Sequence, residues 1–162
     1  NVQRAYIDFA ADLIYSDYDV YIQSIDTFTD LGLEGNRIHK AKDLNCKRHR
    51  RMVIISEGGG MGNEVAMARA RWESARRNGR SRVVRVTADS WRDSSGALWE
   101  PNTLVPVSLP RLKFSSDSML ITEVTFLKNA YSGTTAELTL MDPSAFLPQP
   151  INLMPMYGEF SQ

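Results

Sequence analysis

The chain has 162 residues, 43% of them apolar, and folding at that size removes roughly 68–70% of the extended chain's surface from water, enough for a core without covalent staples. Its one cysteine, Cys46, excludes an intramolecular disulfide, no apolar run approaches the ~20 residues of a membrane helix, and the first residues lack the layout of a signal peptide, so the expectation is a soluble piece of a longer polypeptide. The 19 basic and 19 acidic side chains cancel overall, but residues 1–36 carry one Arg against seven acids, residues 37–85 fourteen Lys/Arg against four, and residues 86–162 four against eight. The central block asks for an acidic surface or a polyanion nearby, unless it is a solvated face balanced by its own ends.

In chain order, residues 18–28 are rich in β-branched and aromatic side chains and predict a strand, with Val20 and Ile22 on one face. Residues 29–36, with two glycines and acids, predict a loop. A basic run containing Arg48, Arg50 and Arg51 leads into the apolar strand 52–55, and Gly58, Gly59, Gly60 and Gly62 then break the pattern as a flexible connector. Asn63 as cap, Glu64 in the first turn and Gly79 after the last predict a helix over 63–78, with Val65, Ala68, Trp72 and Ala75 as its apolar stripe and Trp72 as the largest anchor.

From Ser81 onward the period becomes 2. Val84, Val86 and Ala88 face one way; Asp93 to Gly96 supply a turn between Trp91 and Trp99, with Gly96 at its left-handed position. Residues 104–109 are extended, but Pro106 restricts them to an edge or a bulge. Leu120, Val124 and Phe126 share a face of the next strand, and Ala136, Leu138 and Leu140 a face of the last. Residues 148–162 read as an extended tail. Short strands with no helices between them argue for a β-dominated α+β fold: an antiparallel β-barrel or sandwich with one flanking helix over 57–147, and part of a second small α+β domain over 1–56.

Catalytic and cofactor signals are weak. The glycines before the helix lack the Lys-Ser/Thr of a nucleotide loop and read as a hinge. His39, His49 and Cys46 match no common zinc spacing and lie among cations, and Asp17, Asp19, Asp26 and Asp30 lack the closing Glu of a calcium loop. No nucleophile elbow is present. The expectation is therefore no enzyme, no cofactor, no metal and no small-molecule substrate. A nucleic-acid-binding module using residues 40–85 is the alternative, although Trp72 is the block's one aromatic and sits on the apolar stripe; a hydrolase with unrecognised carboxylates is the third.

The basic strand RHRRMVIISE, the helix RARWESARRNGRS, the pattern W-x4-G-x-L-W-x-P-N (Trp91, Gly96, Trp99, Pro101, Asn102) and the closing Asp142-Pro143-Ser144-Ala145-Phe146 together resemble, by order and spacing, the C-terminal half of the Mu-type phage baseplate hub family. That family is similar to the hub part of type VI secretion spikes. The resemblance implies a homotrimeric structural protein of the contractile-tail baseplate, joining the tail tube to the central spike, located in the virion and assembled in the host cytoplasm. It implies Trp72, Trp91, Gly96, Trp99, Pro101, Asn102, Pro143 and Phe146 as structural positions; the charge pattern adds Arg48, Arg50 and Arg51 as a charged interface.

Overall fold

The computed structural model describes residues 2–22, 38–56, 63–131 and 133–150. Within them lie strands β1 (Val2–Phe9), β2 (Asp17–Ile22), β3 (Ile38–Lys42), β4 (Arg51–Ser56), helix α1 (Asn63–Arg80), and strands β5 (Arg82–Ala88), β6 (Leu104–Leu109), β7 (Phe114–Asn129) and β8 (Gly133–Met141). Short 3-10 turns cover Pro110–Leu112 and Pro143–Phe146. The expected end of the first strand, the loop 29–36, the glycine hinge and residues 151–162 of the tail lie outside the described residues.

Two compact units result. One comprises Asn1–Ile14 and Ala75–Leu147, the other Tyr15–Ser74 and Pro148–Gln162. The expected boundary at residue 56 does not describe this division, because β1 leaves the N-terminal region to pair antiparallel with β5, Ala5 opposite Val86 and Ile7 opposite Val84.

The first unit is a curled, half-barrel sheet in the order β1-β5-β8-β7-β6, antiparallel at every pairing. Alternation builds its core. Val84, Val86 and Ala88 of β5 stand opposite Leu140, Leu138 and Ala136 of β8, and all six are buried. Val107 and Leu109 of β6 and Met119 and Ile121 of β7 complete the cluster. Pro106 lies where a residue without an N–H is tolerated, on an edge strand whose register shifts between Val105 and Val107.

β7 differs from the alternation expected of it. Its register against β8 shifts between Ile121 and Glu123, a β-bulge that adds one residue and inverts the parity of the strand. Before the bulge the buried residues are Met119 and Ile121, with Leu120 only half-buried; after it Val124 and Phe126 stand opposite Leu138 and Ala136. Leu120 therefore does not share a face with Val124 and Phe126.

The second unit is a three-stranded mixed sheet, order β3-β2-β4, with β2 antiparallel to β3 and parallel to β4. Its core joins Val20 to Ala66 and Ala70 of α1, with Ala41 and Ile54 beside them. The helix thus buries a stripe of small residues, whose short side chains permit close approach to the strands. The expected stripe lies to one side of it: Val65 and Trp72 are half-buried and Ala68 is exposed. The Arg69 guanidinium lies 5.0 Å from the Trp72 ring centre, so Trp72 covers the helix surface with a cation over its face instead of anchoring the core.

α1 also outlasts its expected end. Gly79 is inside the helix and buried, and a Cβ there would come 2.6 Å from Ser144 Oγ and 2.7 Å from Ala145 N. Glycine is required by this approach of the turn Pro143–Phe146, and not by a left-handed cap.

Candidate assembly surfaces

The W-x4-G-x-L-W-x-P-N segment forms an arm tied to the half-barrel through indole N–H groups. Trp91 Nε1 donates to Leu127 O (3.0 Å) and Thr135 O (3.1 Å), carbonyls of two residues that are register partners where β7 pairs with β8, and its ring meets Phe126 edge-on at 5.7 Å. Trp99 Nε1 donates to Ser90 O (3.1 Å), and Trp99 N to Trp91 O (3.1 Å). Both rings pack against the core cluster.

Asp93 organises the tip of the arm. Its Oδ1 accepts from Ser95 N (2.8 Å), Ser95 Oγ (2.7 Å) and Ala97 N (3.0 Å). The Ser95 hydroxyl above all, with backbone N–H groups of residues 95–97, holds its carboxyl below the ordinary aspartate value of 3.8. Gly96 takes a φ of 88°, and its carbonyl accepts from the Arg92 guanidinium at 2.7 Å. Pro101 and Asn102 form the next turn, Asn102 at φ 63°, and Asn102 N donates to Ile121 O at 2.7 Å.

The closing motif docks on the end of α1. Asp142 caps the turn by accepting from Ser144 N (2.9 Å), Pro143 occupies its first position, and Ser144 Oγ donates to Ala75 O (3.2 Å). Arg80 Nε donates to Ala145 O (3.3 Å). Ala145 is the buried residue of the turn; Phe146 is half exposed.

The half-barrel leaves an apolar concave groove of about 230 Å³ between β1 and β6, its two edge strands, lined by Val2, Val86, Trp99, Val105 and Leu138 among others. Among the described residues its lining carries no titratable group.

In the second unit the three expected interface arginines divide. Arg48 is exposed. Arg50 lies over the Tyr15 ring at 4.6 Å, while its backbone N–H donates to Ser16 Oγ (2.8 Å) and its carbonyl accepts from Ser16 N (2.9 Å) and Asp17 N (3.1 Å). Arg51 Nε pairs with the buried Asp19 carboxylate at 2.6 Å and its terminal nitrogen donates to the Tyr21 hydroxyl at 2.6 Å. Two of the three arginines thus serve the sheet's own integrity.

Ser16, His49 and Asp17 also meet here, a juxtaposition that sequence spacing did not reveal. His49 Nδ1 faces both Asp17 Oδ2 (3.0 Å) and Ser16 Oγ (3.4 Å), and the Ser16 hydroxyl donates to Asp17 (2.7 Å). A nucleophilic triad needs the two ring nitrogens to serve serine and carboxylate separately; here one nitrogen serves both, and the hydroxyl has the carboxylate and the Arg50 carbonyl (3.0 Å) as its acceptors. The Ser16 hydroxyl, with His49 and Lys42 adding positive charge, holds the Asp17 carboxyl below its ordinary value. The trio is a loop clamp. Among the described residues no three His, Cys, Asp or Glu side chains converge as a metal site; Cys46 Sγ donates to Arg48 O at 3.3 Å.

Comparison with known proteins gives these surfaces a context. The baseplate hub protein gp44 of Escherichia phage Mu is 30% identical over 107 residues, 66% of this chain and 28% of that protein. The 43 kDa tail protein of prophage MuSo2 from Shewanella oneidensis superposes with a TM-score of 0.71 at 28% identity, over 90% of this chain and 42% of that one. The tail protein from Neisseria meningitidis MC58 shares the fold, with a TM-score of 0.70 at 18% identity over 93% of this chain and 42% of its own. The chain therefore spans less than half the length of each of these proteins. The family model for the fourth domain of the Mu phage baseplate assembly protein GpP matches residues 62–149, from the start of α1 through the half-barrel and the closing turn, and the chain belongs to that family.

Proposed function

We propose that this chain is a structural part of a phage tail baseplate, within a protomer of a trimeric hub that connects the tail tube to the central spike, and that it works by assembly and not by catalysis. Its partners on this reading are two further copies of itself and the tube and spike proteins, and its place is the tail of a contractile, type VI secretion-like particle. The observation that supports it best, beside membership of the baseplate family, is the half-barrel: a five-stranded sheet with two edges unpaired within the described residues around an apolar concave face. Exposed edges invite pairing, and proteins normally cover them. The nucleic-acid alternative is weakened, since Arg50 and Arg51 are held in contacts of their own sheet.

Sedimentation of the chain within its full-length protein tests the reading: a mass of three protomers is expected, and a monomer at micromolar concentration overturns it. A basic block presented to acidic surface sets rate and register of association. Lys47→Glu with Arg48→Glu should therefore reduce trimer yield at ~0.05 M salt more than Arg111→Glu with Lys128→Glu, and the difference should shrink at ~0.5 M as screening shortens to a few ångström.

A further inference from the structure

The sequence of β4 is apolar on both of its faces: Met52, Val53, Ile54 and Ile55 run without interruption. Such a run in a strand paired in parallel is the pattern of a sheet covered on both sides. α1 accounts for one side through Val20, Ile54, Ala66 and Ala70. Among the described residues the opposite face exposes Val53 (52%), Ile55 (70%) and Ile38 (42%), while Asp19 at its centre is buried in its ion pair with Arg51.

Strand register orders that open face into three rows. Ile38, Tyr21 and Ile55 stand side by side across β3, β2 and β4; the next row is Lys40, Asp19 and Val53; the third is Lys42, Asp17 and Arg51. Ile38, Tyr21, Ile55 and Val53 make one end apolar, the Arg51 guanidinium reaches from the other end to Asp19 and the Tyr21 hydroxyl, and the β3 side carries the exposed Lys40 and Lys42. The acids of the middle strand are already engaged, Asp19 by Arg51 and Asp17 by Ser16 and His49. Three strands spaced by about 4.8 Å make a face about 10 Å wide, the diameter of one α-helix with its side chains.

We propose that this face is a docking site for an amphipathic helix of a different tail component, its apolar stripe over Val53, Ile55 and Tyr21 and its acidic flank against Lys40 and Lys42. A two-fold pairing of this face with its own copy is disfavoured, because it sets lysine against lysine. The site belongs to the second unit alone and does not depend on the trimeric reading of the protomer.

The test uses the full chain and two labelled helical peptides of about 18 residues, long enough to form a marginal helix in water, with the same leucine stripe flanked by glutamates in one and by lysines in the other. Fluorescence anisotropy is expected to show the glutamate peptide binding at least about tenfold more tightly; Val53→Thr with Ile55→Thr should weaken both peptides by a similar factor, and Lys40→Glu with Lys42→Glu should reverse the preference. Threonine keeps the β-branch that a strand favours, and the lysine variants alter only exposed side chains, so at least one variant stays folded by circular dichroism. Equal affinity for the two peptides, or a preference that survives the lysine reversal, overturns the proposal. Concentration-dependent self-association removed by Ile55→Thr overturns it too, by giving the face to a second copy.

Discussion

At the scale of single residues, the informative positions are those where backbone geometry leaves no choice. Gly79 has no room for a methyl group against Ser144 and Ala145, and these contacts are backbone as well as side chain. Gly79→Ala, which in an exposed helix would add about 1 kcal/mol of stability, is expected to lower it here, with a clear fall in Tm as the closing turn is pushed off the helix. At the arm tip, Gly96→Val forces a branched side chain to a φ of 88° and should destabilise more than Ser95→Ala. Ser95→Ala has its own signature. The folded carboxyl of Asp93 titrates below its unfolded value, so its contribution to stability is complete above the unfolded pKa near 3.9 and is lost as pH falls through the lower, folded one. Removing the Ser95 hydroxyl should move the Asp93 midpoint upward in an NMR titration. An unchanged midpoint would show that the backbone N–H groups alone hold the carboxylate.

At the scale of elements, what could be read from sequence depends on where each strand finds its partners. β5 and β8 are central, each buried on one face, so Val84-Val86-Ala88 and Ala136-Leu138-Leu140 announce both strand and core. β1 and β3 were not anticipated. Both are edge strands, and Val2–Phe9 and Ile38–Lys42 mix charged with apolar residues on lightly buried faces; their strand character comes from the ladder of a neighbour, which local pattern does not carry. α1 was legible as a helix but not in its orientation, because large apolar side chains suggested the stripe while alanines form it. The bulge in β7 was hidden for a third reason: one inserted residue inverts parity without changing composition. It makes a quantitative expectation. Ile121→Ala should cost about 2–5 kcal/mol in urea unfolding and Leu120→Ala clearly less, although the two leucine-sized side chains are adjacent. Comparable losses would place the bulge elsewhere.

At the scale of the whole molecule, the assembly positions named from sequence divide by role. Trp91, Trp99, Gly96 and Asn102 build the arm, and Pro143 starts the turn closing on α1. Pro101 lies exposed in the arm's second turn and Phe146 is half exposed, so both face outward from the elements they belong to. The Ser16–His49–Asp17 clamp was invisible because its members come from the start of β2 and the loop before β4, brought together only when those strands pair in parallel. Charge counting finds the basic block along the chain but does not separate Arg48 from Arg50 and Arg51, since pairing is decided by register.

The division of the tryptophans has a practical consequence. Trp72 belongs to the unit of the mixed sheet, whereas Trp91 and Trp99 belong to the half-barrel, and no other indole is present in the chain. Each unit thus carries its own optical label. Emission from a chain with Trp72→Phe reports the half-barrel alone, through two indoles bonded to carbonyl groups, and emission from one with Trp91→Phe and Trp99→Phe reports a single indole beneath a guanidinium. Denaturation of the two units can be followed separately by light, in a polypeptide that needs no added dye.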